Sequence, residues 1–509
     1  MPWQLPAVAQ SGAWPRPGGD AQLSGWQKHE TRITRETGAR MRLLWKLRLA
    51  PPPGEEEWDP MPRPTEPLVA GRLITEAGFR DEAVVLGRSD MLYGVDFALG
   101  RLMWEKHFDV QWGRVQTCPE GQFSAAVIQP PPTFRYRPGA PRKAANPPPP
   151  ETTARVGGTI GRSGGFRKRG VFVITRDGYL HEQILANGAD FGTPVKFLAA
   201  ANEDIGDLGM SGGTVYVTTS RSCGGRMQAD GNWQAAPNGA WALDVSTSDF
   251  RRAGYDAGAT GIGGLDGAAE STDGGTLYAA AADGAVALDA QTLGAKDYYT
   301  PSTTGSNRSE GNVSPVVFAF GGRDLVAVYD ADGRLVLLDG AALGGADHHT
   351  PLAATVPLAQ GGANGAWGRL ASAEVNGRRW IFAAIQGPRA RSAHFPVTHG
   401  ATPDGCIAAF QVEEHDGRVV LSPGWVSANV ADPSPAVIAS GMVFSLANGM
   451  HGRNAKLFAF DAATGGTVFT SRDQVRAPGY FSSLSLSLGH ILFVTADDTL
   501  YSFGIGIEH

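Results

Sequence analysis

The sequence predicts an all-β protein, an eight-bladed β-propeller of four-stranded antiparallel blades. Three observations predict it. One short motif of alternating apolar and small residues that ends in an aspartate and a glycine turn recurs along the 509-residue chain. The copies are separated by blade-sized intervals of about 40 to 50 residues. The last copy also lacks a strand that the N-terminal region supplies.

The recurring motif is clearest at residues 457–465, where Leu-Phe-Ala-Phe-Asp is followed by Ala-Ala-Thr-Gly. Alternation with a period of two indicates a half-buried strand, and Asp with Gly supplies the turn that follows. A second apolar stretch often comes after the turn and ends in an aromatic residue such as Trp104. Each unit is therefore predicted to contain several antiparallel strands joined by short turns.

The spacing of the aligned aspartates gives the number of blades. Asp244 and Asp289 are 45 residues apart, Asp289 and Asp339 are 50 apart, and both intervals are single repeats. The 122 residues from Asp339 to Asp461 are two repeats with some surplus, and a degenerate copy lies between them at residues 405–410.

A longer interval of 148 residues separates Asp96 from Asp244, and it is either three repeats or two repeats with an insertion. Residues 129–170 are rich in Pro, Gly and Arg and lack apolar periodicity, which favours an insertion; one further unit lies near residues 178–188. The total is eight blades. Seven or nine blades are the alternatives, because blades 2 and 6 are weakly marked.

The two ends of the chain predict how the ring closes. The final copy, at residues 500–503, is followed by only six residues and has no outer strand. Residues 41–46 (Met-Arg-Leu-Leu-Trp-Lys) match the outer strand around Trp104. Pairing the N-terminal strand with the C-terminal blade leaves no unpaired sheet edge at the seam.

These units resemble the repeat of pyrroloquinoline-quinone (PQQ) type propellers, which has Leu-Tyr-Ala-Leu-Asp, an Ala-Thr-Gly turn and a strand ending in Trp. Residues 33–45 resemble the entry to the quinoprotein alcohol dehydrogenase propeller. The resemblance implies one propeller domain over residues 26–509, interrupted by the insertion at 129–170 and preceded by an N-terminal extension at 1–25. Because the same repeat serves enzymes and non-catalytic scaffolds, it implies the fold rather than the function.

For the quinoprotein dehydrogenases, the resemblance implies a quinone on the propeller axis between a tryptophan and a disulfide of adjacent cysteines. A calcium ion held by Glu, Asn and Asp acts there as a Lewis acid. None of the three cysteines in this chain adjoins another, so that element is absent. Glu310 and Asn312 are the candidate calcium ligands, and Trp367 is a candidate stacking platform. The favoured interpretation is that Glu310 and Asn312 belong to a polar loop and that Trp367 is a packing residue at the end of a strand.

The cysteines have structural interpretations. Cys118 and Cys223 both lie in predicted loops and are a candidate disulfide, with three free thiols as the alternative. Cys406 begins a predicted strand and is expected in the core. The absence of Cys-x-x-Cys-His excludes a covalently attached haem.

The loops also carry His348, His349, His394 and His399. A zinc or copper site would need three such ligands together. Surface histidines on turns are the favoured interpretation.

The predicted insertion is strongly basic. Between residues 133 and 170 it has nine basic residues against the single acid Glu151, which gives this segment a net charge of +8. Because the whole chain has a net charge of −6, the rest of the chain carries about −14. It is a candidate docking arm for an acidic partner, a polyanion or another subunit, with a solvated loop as the favoured alternative. The candidate docking residues are Arg135, Tyr136, Arg137, Arg142, Lys143, Arg167, Lys168 and Arg169.

Composition narrows the functional classes. A net charge of −6 argues against general nucleic-acid binding, and no stretch reaches the ~18 apolar residues of a membrane span. Ala7-Val8-Ala9 is similar to a signal-peptide cleavage site, and the resemblance favours a periplasmic or secreted protein.

The preferred hypothesis is a binding or assembly module that engages a protein or polymer partner through its loops and axial face. The alternative is a quinoprotein-type alcohol or sugar dehydrogenase that uses PQQ and calcium.

Overall fold

The computed structural model describes most of the chain. The described residues are 12–49, 65–75, 78–87, 90–110, 122–130, 169–199, 204–220, 225–227, 233–235, 238–258, 261–264, 266–281, 284–301, 313–360, 365–449, 452–479 and 481–506.

Eight blades of four antiparallel strands form a ring, and each blade is one sheet; in blade 6 a short fifth strand, Val397–Thr398, pairs parallel with the outermost strand. From the innermost to the outermost strand, the first four blades are blade 1 (Leu68–Thr75, Gly78–Leu86, Met91–Asp96, Arg101–His107), blade 2 (Ala125–Ile128, Gly170–Ile174, Tyr179–Ile184, Val195–Lys196), blade 3 (Gly209–Ser211, Thr214–Thr219, Gly239–Asp244, Arg252–Asp256) and blade 4 (Ala269–Glu270, Thr276–Ala280, Ala285–Asp289, Ala295–Tyr299).

The other four blades complete the ring. They are blade 5 (Val316–Phe320, Arg323–Tyr329, Leu335–Asp339, Ala353–Ala354), blade 6 (Ala371–Val375, Arg378–Gln386, Gly405–His415, Arg418–Val426), blade 7 (Val437–Ala439, Met442–Ala447, Lys456–Asp461, Thr467–Thr470) and blade 8 (Ser485–Ser487, His490–Val494, Thr499–Gly504, Arg42–Arg48).

A few short elements lie outside this pattern. Thr34 caps a one-turn helix, Arg35–Gly38, that precedes the first strand of the chain. The remaining elements are a hairpin of Gly225–Met227 with Trp233–Ala235, a parallel pair of Val313–Ser314 with Gly368–Arg369, a short strand Val397–Thr398 beside blade 6, and a 3-10 turn Gly345–Asp347. No helix in the described ranges is long and apolar enough to cross a membrane.

The sequence-based count of eight blades is confirmed, including the two weakly marked blades, 2 and 6. The predicted closure is confirmed as well. Arg42–Arg48 pairs antiparallel with Thr499–Gly504, from Arg42 opposite Gly504 to Arg48 opposite Thr499. One strand from the beginning of the chain therefore completes the sheet that its end begins.

The repeated aspartate organises the contact between neighbouring blades. In blade 1, Asp96 Oδ1 accepts hydrogen bonds from the backbone N–H groups of Ala98 (3.1 Å) and Leu99 (3.0 Å), which shapes the turn. The carbonyl of the next residue, Phe97, is then free to accept the indole N–H of Trp45, from blade 8, at 3.1 Å. The same arrangement joins Asp461 and the carbonyl of Ala462 to Trp425 of blade 6, at 2.9 Å.

Tyrosines perform this role where the outer strand has no tryptophan. Tyr216 Oη donates to the carbonyl of Ala290 at 2.7 Å, and Tyr278 Oη donates to that of Gly340 at 2.8 Å. Both acceptors again directly follow a repeat aspartate. The hydrogen bonds from these four aromatic residues therefore each fix one blade to the next, while the apolar faces of adjacent sheets supply the core between them.

The turn glycine is required where an aromatic ring packs on it. Gly100 has φ +63°, and a Cβ at this position would lie 2.3 Å from the Trp45 ring. We predict that Gly100→Ala lowers the unfolding free energy by about 2–4 kcal/mol, the sum of left-handed strain and overpacking. Gly417→Ala is the matched control, since Gly417 has φ +74° with open space around it, and should cost only about 1–2 kcal/mol. Equal losses in urea unfolding would contradict the packing explanation.

The seam between blades 8 and 1 contains a buried histidine. The ring of His490 lies 4.5 Å from that of Phe97, and its Nδ1 is 2.8 Å from Ser502 Oγ. Burial, reinforced by the charge of Arg32, lowers the pKa of His490 to about 4. The unfolded histidine binds a proton below about pH 6.5, so this site loses stability as the pH falls from about 6.5 through 4.

We therefore predict that the unfolding free energy of His490→Asn, which keeps a polar atom near Ser502, falls less between pH 7.5 and 4 than that of the wild-type protein, as measured by urea unfolding. The wild-type protein should lose on the order of 2 kcal/mol more than the variant over that interval. His394→Asn, at an exposed position, is the control and should leave the profile unchanged. Parallel profiles for wild type and His490→Asn would exclude this histidine as the source.

Candidate functional site at the propeller axis

Polar residues stand two or three positions before the innermost strands and converge on the axis. Glu66, Asp207 and Arg369 each come two residues before their inner strand, and Gln122 and Asp266 each come three before theirs. Because all inner strands run in the same direction around the ring, this common offset places the residues at the same level. All five are buried.

An ion triad forms the centre of this group. Arg369 Nη1 donates to Glu66 Oε2 at 2.8 Å and to Asp266 Oδ2 at 2.9 Å. The side chains of the three residues are 0–1% exposed. In a site this dry, each charge requires its partner, since a buried charge without compensation is strongly destabilising.

The protonation equilibria reflect this burial. Burial raises the pKa of Glu66 to about 7; the charge of Arg369 opposes the rise, and those of Asp266 and Asp207 add to it. Burial favours a neutral guanidine, but the two carboxylates outweigh it and hold the pKa of Arg369 above its usual range. The triad therefore holds its cation firmly and keeps one carboxyl close to protonation at neutral pH.

The N-terminal region lies inside the ring, against the triad. We call residues 12–30 the axial strap. Trp14 Nε1 donates to Glu66 Oε1 at 2.6 Å, and the backbone N–H of Gly18 donates to the same oxygen at 3.0 Å. Trp14 and Leu23 are fully buried. Residues 12–25, which the sequence analysis assigns to an extension before the propeller, thus line the axis.

The axial strap makes one full circuit of the inner strands. It begins at blade 8, where Ser487 Oγ donates to the carbonyl of Gly12, and ends there, where the backbone N–H of Gly489 donates to Glu30 Oε2 at 2.7 Å. Between these points it contacts each of the remaining seven blades. The contacts join Trp14 to Val69 of blade 1, Pro15 to Ile128 of blade 2, Arg16 to Gly209 of blade 3 and Glu270 of blade 4, Gln22 to Val317 of blade 5, Ser24 to Ser372 of blade 6, and Gly25 to Ile438 of blade 7.

The strap leaves little space beside the triad. Trp14, Glu66, Asp266 and Arg369 have almost no accessible surface, so no void of water size adjoins them. A cavity between blades 3 and 4, lined by Arg16, Asp207 and Glu270, has room for about one water molecule. The described residues thus form a packed, charged axis.

Of the residues that the sequence predicted for a quinone site, the structure describes only Trp367. Glu310 and Asn312 lie outside the described residues. Trp367 is buried, and its ring packs edge-on against Phe481 at 5.1 Å. Among the described residues, no three His, Cys, Asp or Glu side chains form a group that could hold a metal ion. The role of Trp367 as a stacking platform stays a prediction.

The structure describes one of the three cysteines. Cys118 and Cys223 lie outside the described residues, so their disulfide stays a prediction. Cys406 is confirmed as a buried core residue in the strand Gly405–His415 of blade 6. Burial raises the pKa of its thiol to about 12, which makes the thiolate inaccessible near neutral pH.

The histidines lie on the outside of the ring. His348 Nδ1 is 2.9 Å from Asp297 Oδ1, and its ring stacks on Tyr298 at 4.3 Å. His349 Nδ1 is 2.7 Å from the carbonyl oxygen of Thr300, and His399 Nε2 is 2.8 Å from that of Thr464. These contacts support local structural roles for three of the four histidines; the fourth, His394, is exposed.

Of the predicted docking residues, the structure describes one. Arg169 Nη1 donates to the carbonyl of Gly71 at 2.9 Å, and burial lowers the pKa of Arg169. Arg135, Tyr136, Arg137, Arg142, Lys143, Arg167 and Lys168 lie outside the described residues. Arg169 therefore joins the end of the basic segment to the inner strand of blade 1.

Sequence reasoning missed the axial triad. Glu66, Asp266 and Arg369 belong to different blades and are separately unremarkable. An alignment of all eight units on their inner strands would have shown the recurring polar residue that precedes each of these strands. The strap carries no repeat signal, so its position had no such marker.

Comparison with known proteins agrees with the fold. No protein-family model and no curated protein matches the chain. Its structure is similar to quinohemoprotein alcohol dehydrogenase from Comamonas testosteroni (14% identity, 98% of this chain and 82% of that chain covered, TM-score 0.57) and to quinohemoprotein alcohol dehydrogenase ADHIIG from Pseudomonas putida HK5 (13%, 98% and 81%, TM-score 0.60). It is also similar to a europium-containing methanol dehydrogenase (12%, 97% and 98%, TM-score 0.56). The expected PQQ-like quinoprotein propeller fold is thereby confirmed, as a fold.

The strap can be tested through Trp14. Trp14→Phe keeps most of the packing but leaves Glu66 without one buried donor, and we expect a loss of about 1–3 kcal/mol. Trp14→Ala also opens a cavity and should cost about 3–5 kcal/mol. Trp26→Phe is the control, because the Trp26 ring, half-buried, meets Lys28 and Arg379 through its face, and it should cost less than about 1 kcal/mol. Urea unfolding measures all three, and a Trp14→Ala variant as stable as wild type would show that the packing of Trp14 on the axis contributes nothing to stability.

Proposed function

We propose that this protein is a non-catalytic binding or assembly module, built on a quinoprotein-type propeller whose axis is closed by its own chain. The observation that carries the proposal is the axial strap. Trp14 and Gly18 occupy the centre of the ring and donate to Glu66, and the triad beside them adjoins no void of water size. Partner contacts are then made by the outer surfaces and loops of the blades.

The alternative, a dehydrogenase with PQQ and calcium, requires a fit that the described residues do not offer. A planar quinone needs an open slot on the axis, whereas Trp14, Leu23 and the triad fill it. Calcium needs six to eight oxygen ligands, and the described part of the chain holds no group of three metal-binding side chains. Arg369, the buried cation at the centre, already binds two carboxylates.

Two further features belong to this proposal. An exported location, periplasmic or secreted, is supported by Ala7-Val8-Ala9 and by the resemblance to exported propellers. The basic segment 129–170 is a second candidate docking element, for an acidic partner, a polyanion or another subunit, supported by its charge and by the contact of Arg169 with blade 1.

A reconstitution experiment tests the proposal. The purified chain is titrated with PQQ in the presence of calcium, and quinone binding is followed by absorbance and isothermal calorimetry, with dye reduction by alcohols and sugars as the activity readout. We expect neither saturable quinone binding nor turnover. Trp14→Ala is a useful second sample, because binding that appears only in this variant would identify the strap as the obstacle and support the closed axis. Stoichiometric quinone binding with dye reduction in the wild-type protein would overturn the proposal.

A further inference from the structure

The seam between blades 7 and 8 contains an open groove that the axis does not involve. The groove, called the seam groove here, has a volume of about 850 Å³ including its open mouth. Its lining consists of Ala39, Met41 and residues 467–472 with Gln474. One wall is thus the outer strand of blade 7, and the other leads directly into the outer strand of blade 8, which begins at Arg42.

The wall formed by blade 7 is an unpaired sheet edge. Thr467–Thr470 pairs with Lys456–Asp461 on its inner side and has no strand partner on its outer side among the described residues. Alternate N–H and C=O groups of such a strand point away from the sheet and can pair with another extended chain. Four strand residues span about 13 Å, which is enough to pair with four or five residues of a partner.

The rim of the seam groove is basic. Arg472 belongs to its lining, and Arg40 stands between the lining residues Ala39 and Met41. Both arginines are exposed, and neither has an ion-pair partner within the described ranges. Two exposed acids, Glu36 and Asp473, lie in the same segments of the chain, but neither belongs to the lining, whose one charged residue is Arg472. Arg35, by contrast, is already paired with Asp461 at 3.1 Å. This positive rim stands out on a chain whose net charge is −6.

We propose that the seam groove binds an extended acidic segment of a partner protein, which adds as a fifth strand to the outer edge of blade 7. The proposal rests on the binding function proposed above and names its surface and its partner class. Charge complementarity selects the acidic partner, since a basic rim attracts carboxylates and repels the basic segment of a second copy.

The groove floor favours a peptide over another polyanion. A sheet edge presents both donors and acceptors, and a peptide backbone matches both, whereas polyphosphate offers acceptors alone. Val468 and Phe469 are half-buried in the floor and can contact small apolar side chains that alternate with the acids along a strand.

The test measures binding of a fluorescein-labelled octapeptide of alternating Glu and Val by anisotropy, with the full-length protein. We expect saturable binding in 50 mM salt that weakens at least tenfold in 500 mM salt, because exposed charges are screened. The same peptide with Lys in place of Glu should not bind. Equal binding of both peptides, or of neither, would overturn the proposal.

Variants locate the site. The double variant Arg40→Glu, Arg472→Glu should lose at least tenfold in affinity, while its thermal unfolding stays close to wild type because both side chains are exposed. The matched control is Arg252→Glu, Arg378→Glu, which makes the same change of charge at exposed positions on blades 3 and 6 and should bind like wild type. An equal loss in both double variants would mean a general charge effect and not this groove.

Chemical variants of the peptide test strand addition. Two peptides are made, one methylated at the odd-numbered and one at the even-numbered backbone nitrogens, which removes hydrogen-bond donors without changing the charge. Only one of the two sets of N–H groups faces the strand of blade 7, so we expect one methylated peptide to lose binding and the other to keep it. If both methylated peptides bind like the parent, no fifth strand forms.

If inorganic polyphosphate binds as tightly and with the same dependence on Arg40 and Arg472, the groove is a general polyanion site and the peptide proposal is wrong. The quinone titration decides the closed-axis function independently of all these outcomes.

Discussion

The burial of one guanidinium on the propeller axis constrains much of this structure. Arg369 is fully enclosed and depends on Glu66 and Asp266, which come from blades 1 and 4. A buried ion pair is seldom a net source of stability, but removal of either partner leaves an uncompensated charge that costs about 3–5 kcal/mol. The charge of Arg369 is therefore compensated only when blades 1, 4 and 6 are in their correct places.

The axial strap makes that burial possible. Without residues 12–30, the triad would face the open centre of the ring, where water would solvate it and weaken its mutual attraction. Trp14 excludes water and also gives Glu66 a hydrogen bond, so one side chain both lowers the local dielectric constant and satisfies a carboxylate. Since the strap contacts all eight blades, it also gives the ring a second closure besides the strand pairing of Arg42–Arg48 with Thr499–Gly504.

How far the sequence predicts this protein depends on the distance between the interacting residues. The blades and the closure of the ring follow from local patterns that repeat, and those predictions are confirmed. The triad joins residues 303 and 103 positions apart, and no periodicity marks such a pair. The strap is a single segment rich in turns, with Gly18, Gly19 and Gly25 all at positive φ, so its sequence is indistinguishable from that of a polar tail.

A closed axis changes where a propeller can bind. In an open ring, the convergent polar residues at the axis are the natural ligand site, because eight blades contribute groups to one small volume. Here the central charges are paired within the chain itself, and the binding function proposed for this protein is assigned to the periphery. Among the described residues, the outermost strand of each blade is a sheet edge, except in blade 6, where Val397–Thr398 pairs with the outer strand Arg418–Val426. At the seam, the chain enters the ring beside blade 7, and Arg40 and Arg472 lie next to the outer edge of that blade, so charge and hydrogen-bonding capacity coincide there. The same N-terminal region that closes the axis thereby creates the groove.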